Sequence, residues 1–217
     1  MDATILVAGT FDVLHAGHYL LLHAAFHSAR AVEVWLSDDA MCAAKALRCG
    51  QALQPLASRA AALRAWLEQQ TPHSIAAFYA SAGLPLPQPQ PPSAGSEEAP
   101  PPPPLPQQPP QHPYAGRYSL HALPDALGPA ATEPRYTAIV CSEETRQGCE
   151  AINAQRCAGG LAPLRLVVVP LLLGQGGEKL SSTAARAAAA AAAAAVAAPR
   201  DGAAQATAGG AEDRGAE

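Results

Sequence analysis

The stretch ATILVAGTFDVLHAGHYLLLHAA, residues 3 to 25, constrains the fold more than any other part of the chain. An apolar run with the composition of a short buried strand stops at Gly9-Thr10. Two histidines, His15 and His18, follow, and apolar residues then resume as YLLLHAAFHSA with the spacing of a helix packed on one face. AVEVWLS at 31–37 reads as the next buried strand. PLASRAAALRAWLEQQ at 55–70 reads as a second amphipathic helix, with Pro55 at its first turn and Leu56, Leu63 and Leu67 on the core side. Beyond a break, RYSLHAL (117–123), RYTAIVC (135–141) and LRLVVVPLLL (164–173) read as three further strands. SEETRQGCEAINAQRCAG reads as a helix closing at Gly159-Gly160, and EKLSSTAAR as the start of a final helix. Strand and helix alternate throughout. The expected fold is therefore α/β, a doubly wound, Rossmann-like parallel sheet with helices on both faces.

The break is compositional. From about Gly83 to Pro113 the chain is proline, glutamine, serine and little else, including APPPPPLPQQPP. Such a segment cannot bury apolar area and is expected to be mobile or polyproline-like. It reads first as a tolerated surface insertion and secondly as a candidate ligand for a proline-recognition partner. Residues 1–82 and 114–190 are expected to form one domain around this 83–113 insert, with an alanine-rich and disordered tail over 191–217. The 217 residues suit one ordinary domain. Their 49% apolar content overstates the core, because alanine crowds into 187–198.

A net charge of −4 without a basic stripe argues against nucleic acid as a partner. An anionic ligand would need a local site rather than a global field. No apolar stretch except the weakly hydrophobic alanine run approaches bilayer-spanning length, so no membrane association is expected. The five cysteines, at 42, 49, 141, 149 and 157, lack metal-type pairing. Cys141, Cys149 and Cys157 fall at a strand end, a helix face and a helix end. They read as reduced thiols in a cytoplasmic protein, and the first strand begins too near Met1 to leave room for a leader.

Ligands of doubly wound sheets gather at the carboxyl ends of the strands, where the His15/His18 turn and the SST turn should both lie. Gly9-Thr10 lets backbone approach a ligand closely. Gly17 opens a helix whose free amides attract phosphate, and His15 and His18, at i and i+3, project from one side of its start. Ser181, Ser182 and Thr183 offer hydroxyls and amides either as a helix cap or to an anion, with Arg186 one turn on. The GQGGEK stretch lacks the Gly-Lys-Ser/Thr of a phosphate loop.

GTFDVLHAGH resembles the G-T-F-D-x-x-H-x-G-H signature of the nucleotidyltransferase superfamily, and KLSSTAAR resembles its I-S-S-T-x-x-R signature. LSDD (36–39), QPLASR (54–59) and the 128–156 segment narrow the resemblance to phosphopantetheine adenylyltransferases of the eukaryotic and archaeal type. The matching parts span roughly residues 3–75 and 117–186. The resemblance implies transfer of an adenylyl group from ATP, carried with Mg²⁺, to 4′-phosphopantetheine, giving dephospho-coenzyme A and pyrophosphate. The attacking phosphate is already ionised near neutral pH, so no general base is needed.

By resemblance, Gly9, Thr10, Phe11, His15, Gly17 and His18 hold the nucleotide. Thr10 orients the attacking phosphate, and His18 donates to the α-phosphate oxygens. Lys45 matches a phosphate-gripping lysine, with Arg48 sharing or taking that role. Ser181, Ser182, Thr183 and Arg186 bind the β- and γ-phosphates, and Glu143 and Glu144 contact nucleotide or cap the helix that begins there. The chain departs from the family at Val13, where arginine is frequent, and at CAAK (42–45), where lysines are frequent. The insert is expected close to where pantetheine would bind. Two alternatives are a cytidylyltransferase of the same superfamily, disfavoured by GGEKLSST in place of R-T-E-G-I-S-T, and a non-catalytic relative displaying the polyproline segment.

Overall fold

A computed structural model describes residues 2–49, 52–87, 112–174, 177, 180 and 183–186. Eleven elements follow in chain order: β1 (Asp2–Gly9), α1 (Ala16–Ser28), β2 (Ala29–Ser37), α2 (Asp39–Cys49), α3 (Leu56–Glu68), α4 (Pro72–Ser81), β3 (Tyr118–Leu123), a 3₁₀ turn (Pro129–Ala131), β4 (Ala138–Ser142), α5 (Arg146–Ala158) and β5 (Arg165–Val169). The sheet order is β3-β2-β1-β4-β5 and every pairing is parallel. The order reverses between β1 and β4, which opens a crevice above their carboxyl ends. The doubly wound reading of the sequence is therefore correct.

Alternation along the strands sends side chains to two cores. Ile5, Val7, Val32, Val34, Leu36, Ala138 and Val140 pack against Leu20, Leu22, Ala25 and Phe26 of α1, Leu63 and Leu67 of α3, and Tyr79 of α4. Leu6, Ile139 and Cys141 point the other way, toward Cys149 and Ile152 of α5 and the 3₁₀ turn. On that second face Glu33 of β2 is buried but satisfied: the Arg135 fork donates to both of its oxygens and the Tyr136 hydroxyl reaches Oε2 at 2.6 Å.

Two helices are additions to the sequence reading. In α2, the Asp38 carboxylate accepts from the Met41 amide at 2.8 Å and starts the helix. A reciprocal capping box between Thr71 and Ser74, with Pro72 in the first turn, starts α4. The last strand is shorter than its apolar run: pairing stops at Val169 because Pro170 has no amide to donate, and Leu171 and Leu173 are exposed. Of the final helix, one turn over 183–186 is described.

The described flanks of the proline-rich insert sit away from the histidine turn. Pro87 and Pro113 line one small cavity with Phe26, His27 and Arg117, at the C-terminal end of α1 and thus at the opposite end of that helix from His15 and His18. The Arg117 guanidinium ties this root together. It donates to the carbonyls of Phe26 at 2.6 Å, Ala29 at 2.7 Å and Pro113 at 3.1 Å, so it caps α1 while anchoring the returning chain. Residues 88–111, including the polyproline stretch read as a candidate ligand, lie outside the described residues.

Arg156 does comparable work on the second face. It is 1% exposed and meets no carboxylate among the described residues; its guanidinium donates to the carbonyls of Ala162, Ala130, Glu133 and Tyr136. It fastens the 3₁₀ turn and the β4 approach to α5. Arg156→Met keeps the stem but leaves those carbonyls without a donor. It is expected to lower the unfolding free energy by about 3 kcal/mol, read from urea unfolding.

Candidate functional site

A cavity of about 410 Å³ occupies the crevice above β1 and β4. Its wall brings together Gly9, Thr10, Phe11, His15, Gly17, His18, Lys45, Glu144, Thr183 and Arg186, residues spread over most of the described chain. Glu143 is not on this wall. Arg48 lies on α2 with its side chain outside the described set, as are Ser181 and Ser182 entirely. The N-cap of α5 is Thr145, whose hydroxyl accepts from the Ser142 amide at 3.1 Å.

The turn after β1 is built under strain. Phe11 is fully buried with φ +49°, a left-handed conformation that a phenylalanine adopts only when its surroundings demand it. Its ring fills the space beside Gly9, where a Cβ would come within 3.1 Å of it, and lies 5.1 Å from the His18 ring. Phe11 thus supports the site from beneath, and what it can offer a ligand is backbone.

His15 is the N-cap of α1. Its Nδ1 accepts from the Gly17 amide at 3.2 Å, so that amide is already used, and a neutral His15 carries its proton on Nε2. Gly17 allows this close approach, since a Cβ there would meet the His15 ring at 3.0 Å. The two imidazoles lie 3.9 Å apart, centroid to centroid. Burial first, then the neighbouring His15 and Lys45, push the His18 pKa down to about 3, with the Val13 backbone opposing weakly. His18 is therefore neutral at pH 7, and its Nδ1 is buried without a hydrogen bond. Opposite, Lys45 Nζ donates to the Thr10 hydroxyl at 3.1 Å.

Two residues with no assigned role in the sequence reading hold this arrangement. The Asp12 carboxylate, wholly buried, pairs with Arg186 and accepts from the Gln54 amide at 2.7 Å. Arg186 also donates to the Thr183 hydroxyl at 3.2 Å. Arg59, also buried, donates to the carbonyls of Thr10 and Gln54, each at 2.8 Å, and to the Asp39 carboxylate at 3.1 Å. Asp12 stands in the GTFD motif and Arg59 in QPLASR. The sequence signal was present, but nothing local tells a wall residue from the brace behind it.

Fold and site define a doubly wound α/β protein whose two motif-bearing turns meet across the switch point. The chain resembles the archaeal phosphopantetheine adenylyltransferases over most of its length. A protein of that name from Pyrococcus abyssi is 27% identical over 179 residues, 82% of this chain and 85% of the relative. Another from Thermococcus gammatolerans is 28% identical over 179 residues, covering 82% and 84%. A third, from Methanopyrus kandleri, is 25% identical over 179 residues, covering 82% and 85%. No family model matches the chain. A crystal structure of a protein with unknown function from Archaeoglobus fulgidus superposes with a TM-score of 0.51 at 18% identity, over 78% of this chain and 89% of that one; the likeness is one of fold. No helix among the described residues is long and apolar enough to cross a membrane.

Two expectations follow. Arg186→Met strands the buried Asp12 carboxylate and should cost about 3 kcal/mol of stability in urea unfolding, part of which Asp12→Asn in the same chain restores. The second concerns acid. Burial holds His23, beside Tyr114, down to about 4, and His18 sits lower still. Unfolded, both take a proton near 6.5, so below that pH the unfolded state binds more protons and stability falls until the folded values are reached. His23→Gln should flatten this loss by up to about 1.4 kcal/mol per pH unit, read from urea midpoints at pH 7 and pH 5.

Proposed function

We propose that the chain transfers the adenylyl group of ATP to 4′-phosphopantetheine, releasing pyrophosphate and forming dephospho-coenzyme A. The observation that carries this reading is the convergence of the His15/His18 pair, Lys45 with Thr10, and Arg186 on one cavity at the switch point of the sheet. The relatives' name supplies the acceptor.

In this reading the triphosphate lies along the start of α1. His15 and Arg186, with Thr183 and the Ser181 and Ser182 hydroxyls, hold the β- and γ-phosphates. His18, neutral, donates an N–H to the α-phosphate oxygens as charge builds there. Thr10, fixed by Lys45, orients the attacking phosphate of 4′-phosphopantetheine, and Lys45 shares its charge, with Arg48 as its neighbour on α2. Positioning and electrostatics supply the rate, because the nucleophile needs no deprotonation. The cavity wall suits Mg²⁺ arriving already held by ATP: of its two acidic side chains, Asp12 is committed to Arg186 and Gln54, and Glu144 is the other. When bound, the ion would neutralise charge on the phosphates and the departing pyrophosphate.

Pyrophosphate release is the direct test, with ATP and Mg²⁺ in the presence and absence of 4′-phosphopantetheine and with CTP plus phosphocholine as the competing pair. Release that requires both ATP and phosphopantetheine is expected. Release with CTP and phosphocholine instead would replace this reading with the cytidylyl one, and ATP binding without release from any pair would end the enzymatic reading. His18→Ala should lower turnover about a hundredfold or more. A raised Michaelis constant at unchanged turnover would reduce His18 to simple binding.

A further inference from the structure

The helix α2 carries Lys45 into the cavity wall, yet it has little to rest on. At 11 residues it is too short to persist in water on propensity alone, so the rest of the fold must hold it. Among its described side chains Cys42 is the buried hydrophobic, and it stands outside both cores. Ala40, Ala43, Ala44 and Leu47 are exposed, Leu47 at 88%. The Asp38 cap closes the start of the helix from within the same segment. Among the described side chains of α2, Lys45 and Asp39 are the ones that reach another segment by hydrogen bonds. Lys45 Nζ donates to the Thr10 hydroxyl at 3.1 Å. Asp39 Oδ1 accepts from the Leu56 amide at 2.7 Å and from Arg59 Nη2 at 3.1 Å. Leu56 is the first residue of α3, and Pro55 before it makes no side-chain cap. The Asp39 carboxylate thus fills the capping place of α3 from a different helix, beside its positive end.

We propose that Asp39 is a positioning residue for Lys45: it clasps α2 to the start of α3 and so sets the lysine where it meets Thr10 and the cavity. The helix α3 is a firm support, because Leu63 and Leu67 are wholly buried in the first core. Arg59 of α3 closes the circuit. Its Nη1 holds the Thr10 carbonyl at 2.8 Å while its Nη2 holds Asp39, so lysine and hydroxyl are placed from one buried guanidinium. Contact through Lys45 alone fixes one point of α2; a second contact at its first residue fixes the direction of its axis. Asp39 is not on the cavity wall, and its carboxylate is bound to α3, so it acts through the lysine rather than on a ligand. The consequence for acceptor binding rests on the proposed transfer reaction; the clasp itself does not.

Both bonds end on one oxygen, so Asp39→Asn can keep them and Asp39→Ala cannot. The first arm of the test needs no ligand. The full chain has two lysines, Lys45 and Lys179. Brief acylation with acetic anhydride, then the deuterated reagent after unfolding, confines trypsin to arginine and reads Lys45 on peptide 31–48 against Lys179 on peptide 166–186. Thr10→Val removes the lysine's partner and gives the value for a released Lys45. Asp39→Ala should raise the Lys45 to Lys179 ratio toward that value, by about fivefold, and Asp39→Asn should leave it within about twofold of the parent. Asp39→Ser replaces the alanine variant if that one does not fold. An unchanged ratio in Asp39→Ala overturns the proposal, whether or not Thr10→Val raises it. The second arm is kinetic. Asp39→Ala should raise KM for 4′-phosphopantetheine about tenfold, leave KM for ATP within about threefold, and cost little further in a Lys45→Ala chain. An equal loss with and without Lys45 overturns the positioning role, as does a lower urea midpoint with KM unmoved. If the parent chain makes no dephospho-coenzyme A, the transfer reading fails, and the acylation arm still decides the clasp.

Discussion

The Arg59 guanidinium, wholly buried, reaches the carbonyls of Thr10 and Gln54 and the carboxylate of Asp39. A cation in that position is tolerated only because its N–H groups find acceptors in three separate segments: the turn after β1, the link before α3 and the start of α2. Each contact then constrains another. With its carbonyl turned toward Arg59, Thr10 has its hydroxyl left for Lys45. Gln54, held through its carbonyl, uses its amide on Asp12, and Asp12 is the fixed anion against which Arg186 is set. The two signature turns, far apart in sequence, are therefore joined through groups that need not touch a ligand. Such braces are as sensitive to substitution as the residues they position.

Most of the sheet was legible in the residues. The runs at 3–8, 31–37 and 117–123 are apolar enough, and punctuated clearly enough, to be strands of a parallel sheet, and α1, α3 and α5 carry recognisable apolar faces. The helix α2 escaped because DAMCAAKALRC carries few large apolar residues to bury, Cys42 being the buried hydrophobic among its described side chains, and its start is fixed by Asp38 and Asp39. The helix α4 was within reach, since Thr71-Pro72-His73-Ser74 is a capping signature, but it is short and runs straight into proline. The run at 164–173 looked longer than the strand it forms because hydrophobicity does not register a missing amide, and Pro170 lacks one. The insert's root could not be placed from sequence at all. It depends on Arg117 reaching back to carbonyls at the end of α1, a tertiary contact without local periodicity.

At the site, motif spacing identified what faces the cavity better than how it faces it. The helix that Gly17 opens was read as offering free amides to phosphate, yet the Gly17 N–H itself donates to His15. That bond fixes the His15 tautomer, which is more useful to a ligand than one further amide, because it commits Nε2–H as a donor without requiring a positive charge.

The charge balance explains why that matters. The chain carries −4 overall, so anions are not drawn to it from a distance, and the cavity must hold its cations close together. Lys45 already stands near His18 and lowers its affinity for a proton, as does His15. Two protonated imidazoles beside that lysine would repel one another across a partly dry cavity. Keeping the His18 ring neutral lessens that repulsion while preserving an N–H donor, and the Asp12 carboxylate offsets Arg186. A polyphosphate entering this wall would reverse the balance, since its charges favour the protonated ring that Lys45 disfavours. His18 is thus placed where the ligand's own charge opposes the protein's in deciding how much proton it holds.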